Sequence, residues 1–111
     1  MNNPKFQLFQ STANSHYYFR LRATNGEIIL SSQGYSSKQG ATTGIASVKV
    51  NAPIDERYER KGRSQDYTFN LKASNGEIIG RSETYLTSAS RENGIAAVKR
   101  DAPGAPTEDI T

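Results

Sequence analysis

The chain has 111 residues and a formal net charge of +3, with 34% hydrophobic and 23% charged residues. That length suits one domain, or two halves each too small to bury a good core alone, and the composition is polar for a globular protein yet rich enough in Tyr, Phe, Ile and Leu to pack. The absence of cysteine excludes disulfides, thiol catalysis and Cys-ligated metal.

The opening MNNPKFQLFQ lacks the apolar core of a signal peptide. No apolar run approaches the roughly 20 residues of a membrane span. The expectation is a cytoplasmic monomer with no membrane partner. Residues 6–10 alternate, with Phe6, Leu8 and Gln10 set against Gln7 and Phe9, and predict a first strand. A second follows, with Tyr17, Phe19, Leu21 and Ala23 on one side and Tyr18, Arg20 and Arg22 on the other. Asn25-Gly26 and then Ile28, Ile29 and Leu30 predict a hairpin closed by a type I′ turn, which needs positive φ at both central residues. After Tyr35 the spacing becomes helical. Ala41, Gly44, Ile45 and Val48 lie at i, i+3, i+4 and i+7, with Ser36-Ser37 as candidate N-caps and Ala52-Pro53 as the stop. The glycine inside this face predicts a close approach of helix to sheet, because glycine there otherwise costs about 1 kcal/mol.

The same series then recurs. Residues 17–53 and 67–103 align without a gap, identical at 18 of 37 positions, where average usage gives about two. Copy two has Tyr67, Phe69, Leu71, Ala73, Asn75-Gly76 and Ile78-Ile79, then Thr87-Ser88 as caps and Arg91, Gly94, Ile95 and Val98 as the helix face. At the same offset of 50, its first strand falls at residues 56–60 around Tyr58, with 61–66 (KGRSQD) as a polar turn. Residues 107–111 predict one more short strand anchored by Ile110. A single unit leaves its strand edges uncovered. Two units merged edge to edge share one core and remove two edges. The division is one pseudo-twofold domain over 1–111, with repeat one at 1–53 and repeat two at 54–111.

The string F-x-L-x-A-x-N-G-E-I-I-x-x-S-x-x-Y, followed by G-I-x-x-V-K-x-x-A, resembles the YegP-like proteins, a family of small bacterial proteins of unknown function (DUF1508). The resemblance covers nearly the whole chain. It implies an α+β fold of tandem β-β-β-α-β repeats, merged into a single antiparallel sheet with two helices on one face. It also implies exchange of C-terminal strands, with residues 54–61 and 107–111 each crossing to the neighbouring unit. It implies no activity. Gly80 departs from the pattern where copy one has Leu30.

No catalytic, cofactor or metal constellation emerges, so the expectation is a non-enzymatic protein. His16, the only histidine, has no orienting partner of the kind general acid-base work needs. Glu27 and Glu77 recur after the turns, and cross-strand pairing with Arg22 or Lys72 explains them more simply than paired acid-base chemistry. Asp55, Glu56 and Glu59 are interleaved with Arg57, Arg60 and Lys61, which would neutralise a metal site. No phosphate-binding glycine motif occurs. The candidate binding face is the outward row Tyr18, Arg20, Arg22 and Lys72, an aromatic and basic layout suited to a weak polyanion or single-strand nucleic-acid partner. Repeat one is the basic copy: up to Pro53, five Lys/Arg stand against the single acid Glu27. A protein-interaction role through sheet edges or the open face is the alternative.

Overall fold

The computed structural model describes residues 3–111. Repeat one gives β1 (Lys5–Gln10), β2 (Tyr17–Arg22), β3 (Ile28–Ser31) and α1 (Lys38–Asn51). Repeat two gives β4 (Tyr58–Arg63), β5 (Asp66–Lys72), β6 (Ile78–Arg81) and α2 (Ser88–Asp101), and the chain ends with β7 (Thr107–Asp109). One seven-stranded sheet results, in the order β4-β5-β6-β3-β2-β1-β7. It is not wholly antiparallel, since β7 runs parallel to β1.

Period-two alternation sets the buried face. Phe6, Leu8, Phe19, Leu21, Phe69 and Leu71 are buried, and both helices lay Ile45, Val48, Ile95 and Val98 onto them. Ser37 and Thr87 cap the helices by accepting from the amides of Gly40 and Ser90. The expected close approach has a specific cause. A Cβ on Gly44 would lie 2.8 Å from Cζ of Tyr35, and one on Gly94 would lie 2.7 Å from Cζ of Tyr85. Each tyrosine slides beneath its helix and stacks on the strand phenylalanine, at 6.1 Å between Tyr35 and Phe19 and 6.4 Å between Tyr85 and Phe69. Ser32 and Ser82, also shared by the copies, accept from the amides of Phe19 and Phe69.

The hairpins differ from expectation in their turns. Gly26 and Gly76 have φ of +86° and +88°, but Asn25 and Asn75 stay at negative φ. The amide of Gly26 donates to the carbonyl of Ala23, and that of Ala23 to the carbonyl of Glu27. This is a three-residue loop ending in a left-handed glycine, which needs only one positive φ. Asn25 instead accepts from the amide of Glu27. The two-residue turn with both φ positive is at Ser64 (50°) and Gln65 (72°), inside the stretch 61–66 expected as a polar turn. Lys61, Gly62 and Arg63 therefore belong to β4, and residues 55–57 form a 3-10 turn rather than strand. The equivalence of β1 and β4 follows from their partners: Phe6 faces Leu21 and Tyr58 faces Leu71. The offset there is 52, because the β1-β2 connection is two residues longer relative to the repeat.

At the C-terminus, Ala105 is buried while Ile110 is 47% exposed, so Ile110 is not the anchor. The parallel pairing of β7 is held by the amide of Phe6 donating to Pro106 and by the Lys38 to Asp109 ion pair at 2.5 Å.

The two copies meet where Ser31 pairs with Arg81. These are equivalent residues, so the pseudo-twofold axis passes between them. A register shift after Leu21 turns both Ile29 and Leu30 into the core. A Cβ on Gly80, the equivalent of Leu30, would lie 2.6 Å from Cγ of Leu30. Leu30 thus fills from one copy a space that two leucines cannot share.

Gly80→Leu is expected to destabilise the fold by about 1–3 kcal/mol through overpacking, and Leu30→Ala by about 2–5 kcal/mol through a cavity. Combining Gly80→Leu with Leu30→Ala moves the leucine across the axis and should recover most of the loss, measured as a double-mutant cycle by denaturant unfolding. Additive losses would show that the two positions do not share one space. A second expectation concerns acid. The hydrogen bond from Lys38, and then those from Thr111, hold the Asp109 carboxyl at about 2, below its ordinary 3.8. Its contribution is therefore present above the unfolded value and lost as pH falls through about 2. The protection factors of β7 amides should fall between pH 4 and 2 in the parent, and Asp109→Asn should reduce that fall.

Candidate functional site

Cross-strand neighbours share a face, so pairing registers define the surface opposite the helices. One row runs Gln7, Arg20, Ser31, Arg81, Asn70, Glu59 across six strands. Beside it lie Phe9 with Tyr18 and, on the other flank, Arg22 with Lys5. The sequence-predicted residues Tyr18, Arg20 and Arg22 do fall together. Lys72 faces the same way in the other half, where it is bound to Glu59 at 3.1 Å.

The basic half is organised by a residue the sequence reading passed over. The Gln7 Oε1 accepts from Nε of Arg20 at 2.8 Å and from Nε of Arg22 at 2.7 Å. Arg22 also donates to the carbonyl of Gly26. The Gln7 amide nitrogen in turn donates to Glu108, which also accepts from Lys5. Two guanidiniums are thus fixed side by side by a neutral oxygen. Burial, and next the charge of Arg22, push the Arg20 pKa down. Among the described residues, no carboxylate lies within ion-pair distance of Arg20, Arg22 or Arg81. Arg20 also lies over the Phe9 ring at 4.6 Å, and Phe9 stacks on Tyr18 at 5.8 Å. Tyr18 accepts a hydrogen bond from Asn14.

Copy two repeats this scaffold with different charges. Glu59 occupies the Gln7 position and accepts from Asn70 at 2.9 Å and from Lys72. A carboxylate there neutralises its neighbour, whereas the amide of Gln7 does not. Those hydrogen bonds, first from Asn70 and then from Lys72, lower the pKa of Glu59.

The remaining candidates separate. Glu27 and Glu77 are both exposed, and neither pairs with Arg22 or Lys72, whose partners are Gln7, Gly26 and Glu59. The expected pairing is wrong because strand one, not the turn, supplies the acceptor. The two glutamates form no shared acid-base site: each lies at the end of its own hairpin. His16 is exposed in the β1-β2 loop. Asp55 is held by Lys99 and Arg60, and the hydrogen bond from Lys99 leads in lowering its pKa to about 2. Among the described residues no group of His, Asp and Glu could hold a metal ion, and no helix is long and apolar enough to cross a membrane.

Fold and face together define a duplicated α+β protein built on one shared sheet, with helices on one side and a basic, solvent-facing surface on the other. The chain belongs to the family described as domain of unknown function (DUF1508), which matches it twice, over residues 13–59 and 63–109. Bacterial relatives include a UPF0339 protein from the 5′ region of the ptx operon of Stutzerimonas stutzeri, 48% identical over 55% of this chain and 54% of that one. The UPF0339 protein YegP of Escherichia coli K12 is 51% identical over 53% of each chain. In these sequence alignments the chain spans about half the length of the curated relatives it matches. The solution structures agree over more. A UPF0339 protein of Shewanella oneidensis superposes with a TM-score of 0.91 at 40% identity, covering 98% of this chain and 92% of that one. Escherichia coli YegP, described as a protein of unknown function, gives 0.90 at 46%, covering 100% and 96%.

Proposed function

We propose that the protein is a non-enzymatic binding module whose open sheet face takes a polyanion, most specifically the phosphate backbone of a single-stranded nucleic acid. The observation that carries this reading is the Arg20-Gln7-Arg22 arrangement. Both guanidiniums are oriented by their Nε atoms, which positions the terminal nitrogens not taken by the Gly26 carbonyl as donors, and no carboxylate among the described residues lies within ion-pair distance of either. Arg81 extends the row two strands further, about 10 Å at ordinary strand spacing. Phe9 and Tyr18 supply an apolar border against which a base can rest. Phosphate contacts fix a strand without reading its sequence, so little base preference is expected.

The edge-pairing alternative is weaker on charge grounds. The outer strand β4 carries Glu59, Arg60, Lys61 and Arg63 and has φ of +110° at Gly62. Charge and a local twist of this kind protect an edge from pairing.

Titration of the isotopically labelled chain with a short oligothymidine at low salt should shift the amides of Arg20, Arg22, Ser31 and Arg81 saturably. With three phosphate contacts, log K should fall against log salt with a slope of about −2. The sharper test is the exchange Gln7→Glu with Glu108→Gln, which keeps net charge while moving a carboxylate next to both guanidiniums. Affinity should drop at least tenfold. Unchanged affinity, or shifts confined to other surfaces, would remove the proposal.

A further inference from the structure

Repeat one's turn and repeat two's helix enclose an open cleft of about 470 Å³ on the helix side of the sheet. Its floor is apolar, from Ile29, Gly94, Ala97 and the ring of Tyr85; Glu27 and Asn93 stand at its polar rim. Arg100 also lines it but is taken up in two hydrogen bonds to Asp101, at 2.9 and 3.1 Å. Among the described residues, the Glu27 carboxylate, the Asn93 amide and the Tyr85 hydroxyl make no hydrogen bond or ion pair to the protein. The turn is folded by Asn25 and Gly26, and needs nothing from the side chain of Glu27.

Of the two charged lining residues, only Glu27 is without an ion-pair partner among the described residues. Burial raises the Tyr85 pKa, and the carboxylates of Glu83 and Glu27 add to that shift. Its counterpart Tyr35 in the other copy is raised likewise, by burial and then by Glu77. The equivalent positions of the other copy are poorer in polar groups: Thr43 and Val50 stand where this cleft has Asn93 and Arg100. Val50 is 70% exposed there. The cleft is thus lined by a carboxylate, an amide and a tyrosine around the apolar Ile29 and Ala97, the general form of a small-molecule site.

We propose that this cleft binds a small organic cation, a primary ammonium on a short aliphatic body. Its ammonium donates to Glu27, to the Asn93 carbonyl oxygen and to the Tyr85 hydroxyl oxygen. Its aliphatic part covers Ile29 and Ala97. Charge-assisted hydrogen bonds to Glu27 supply most of the selectivity. The site is independent of the sheet face, which lies on the other side of the β-layer.

The probe is butylamine, titrated into the labelled full chain, with butyrate and butanol as charge-reversed and neutral controls. Saturable shifts are expected at Glu27, Asn93, Gly94 and Ala97 with butylamine alone. Glu27→Gln, an exposed and nearly isosteric change, should leave the spectrum dispersed while weakening binding at least tenfold. Glu77→Gln should leave binding in this cleft unaltered. The idea fails if butyrate or butanol shifts the same amides equally, or if Glu27→Gln binds as well as the parent. It also fails if no saturation is seen by about 50 mM, where an affinity would be too weak to represent a built site.

Discussion

Where β3 meets β6, equivalent residues of the two copies stand opposite one another, and the space between the sheet and its helices admits one large side chain rather than two. Leu30 occupies it and Gly80 yields. The rest of the architecture depends on that junction. Without it, each copy is a three-stranded hairpin assembly with one helix, too small to bury its phenylalanines. With it, the two helices share a single hydrophobic layer, and the unpaired edges move to β4 and β7. The difference from the repeat pattern at position 80 is therefore a condition of joining the copies.

The tyrosine-glycine contacts perform the same task within each copy. Helix and sheet could pack with an alanine or leucine at position 44 only by standing further apart. Glycine instead admits the ring of Tyr35 stacked over Phe19, so the connection between β3 and α1 becomes part of the core. This also fixes the hydroxyls of Tyr35 and Tyr85 at the helix margin. There the charge of the opposite copy's hairpin glutamate, after burial, helps to raise the pKa of each.

Much of this was legible in the sequence, because period-two and period-3.6 patterns report burial directly. The strand faces, both helices with their caps, and the gap-free repeat all follow from such patterns. What was not legible depends on register between distant segments. The two-residue offset of β4 is invisible until Tyr58 is seen opposite Leu71, since the strand is too charged to reveal its own inward positions. Asn25-Gly26 suggested a type I′ turn, but the bulge that brings both Ile29 and Leu30 into the core requires a three-residue loop. The alternation sets Gln7 opposite Phe6 and Leu8, yet its role needs the pairing with Arg20 that places its oxygen between two guanidiniums. Arg81 could not be assigned to the face because the β3-β6 junction has no local signal. Ser31 and Arg81 become neighbours only through the symmetry axis.

That axis also separates architecture from candidate chemistry. A duplicated fold must repeat whatever its packing requires, and the turn glycines, capping hydroxyls, helix glycines and strand phenylalanines do recur. Departures from the repeat then fall into two kinds. One kind, Leu30 against Gly80, is forced by geometry at the junction. The other, Gln7 against Glu59, occurs at corresponding positions that accept the same pattern of cross-strand hydrogen bonds with either residue. Packing is indifferent to that choice, but electrostatics is not: the carboxylate closes one half of the face as a neutral pair, and the amide leaves the other half with two oriented positive charges. Because burial disfavours a charged group and two adjacent cations repel, such a pair costs stability unless an anion is present to receive it.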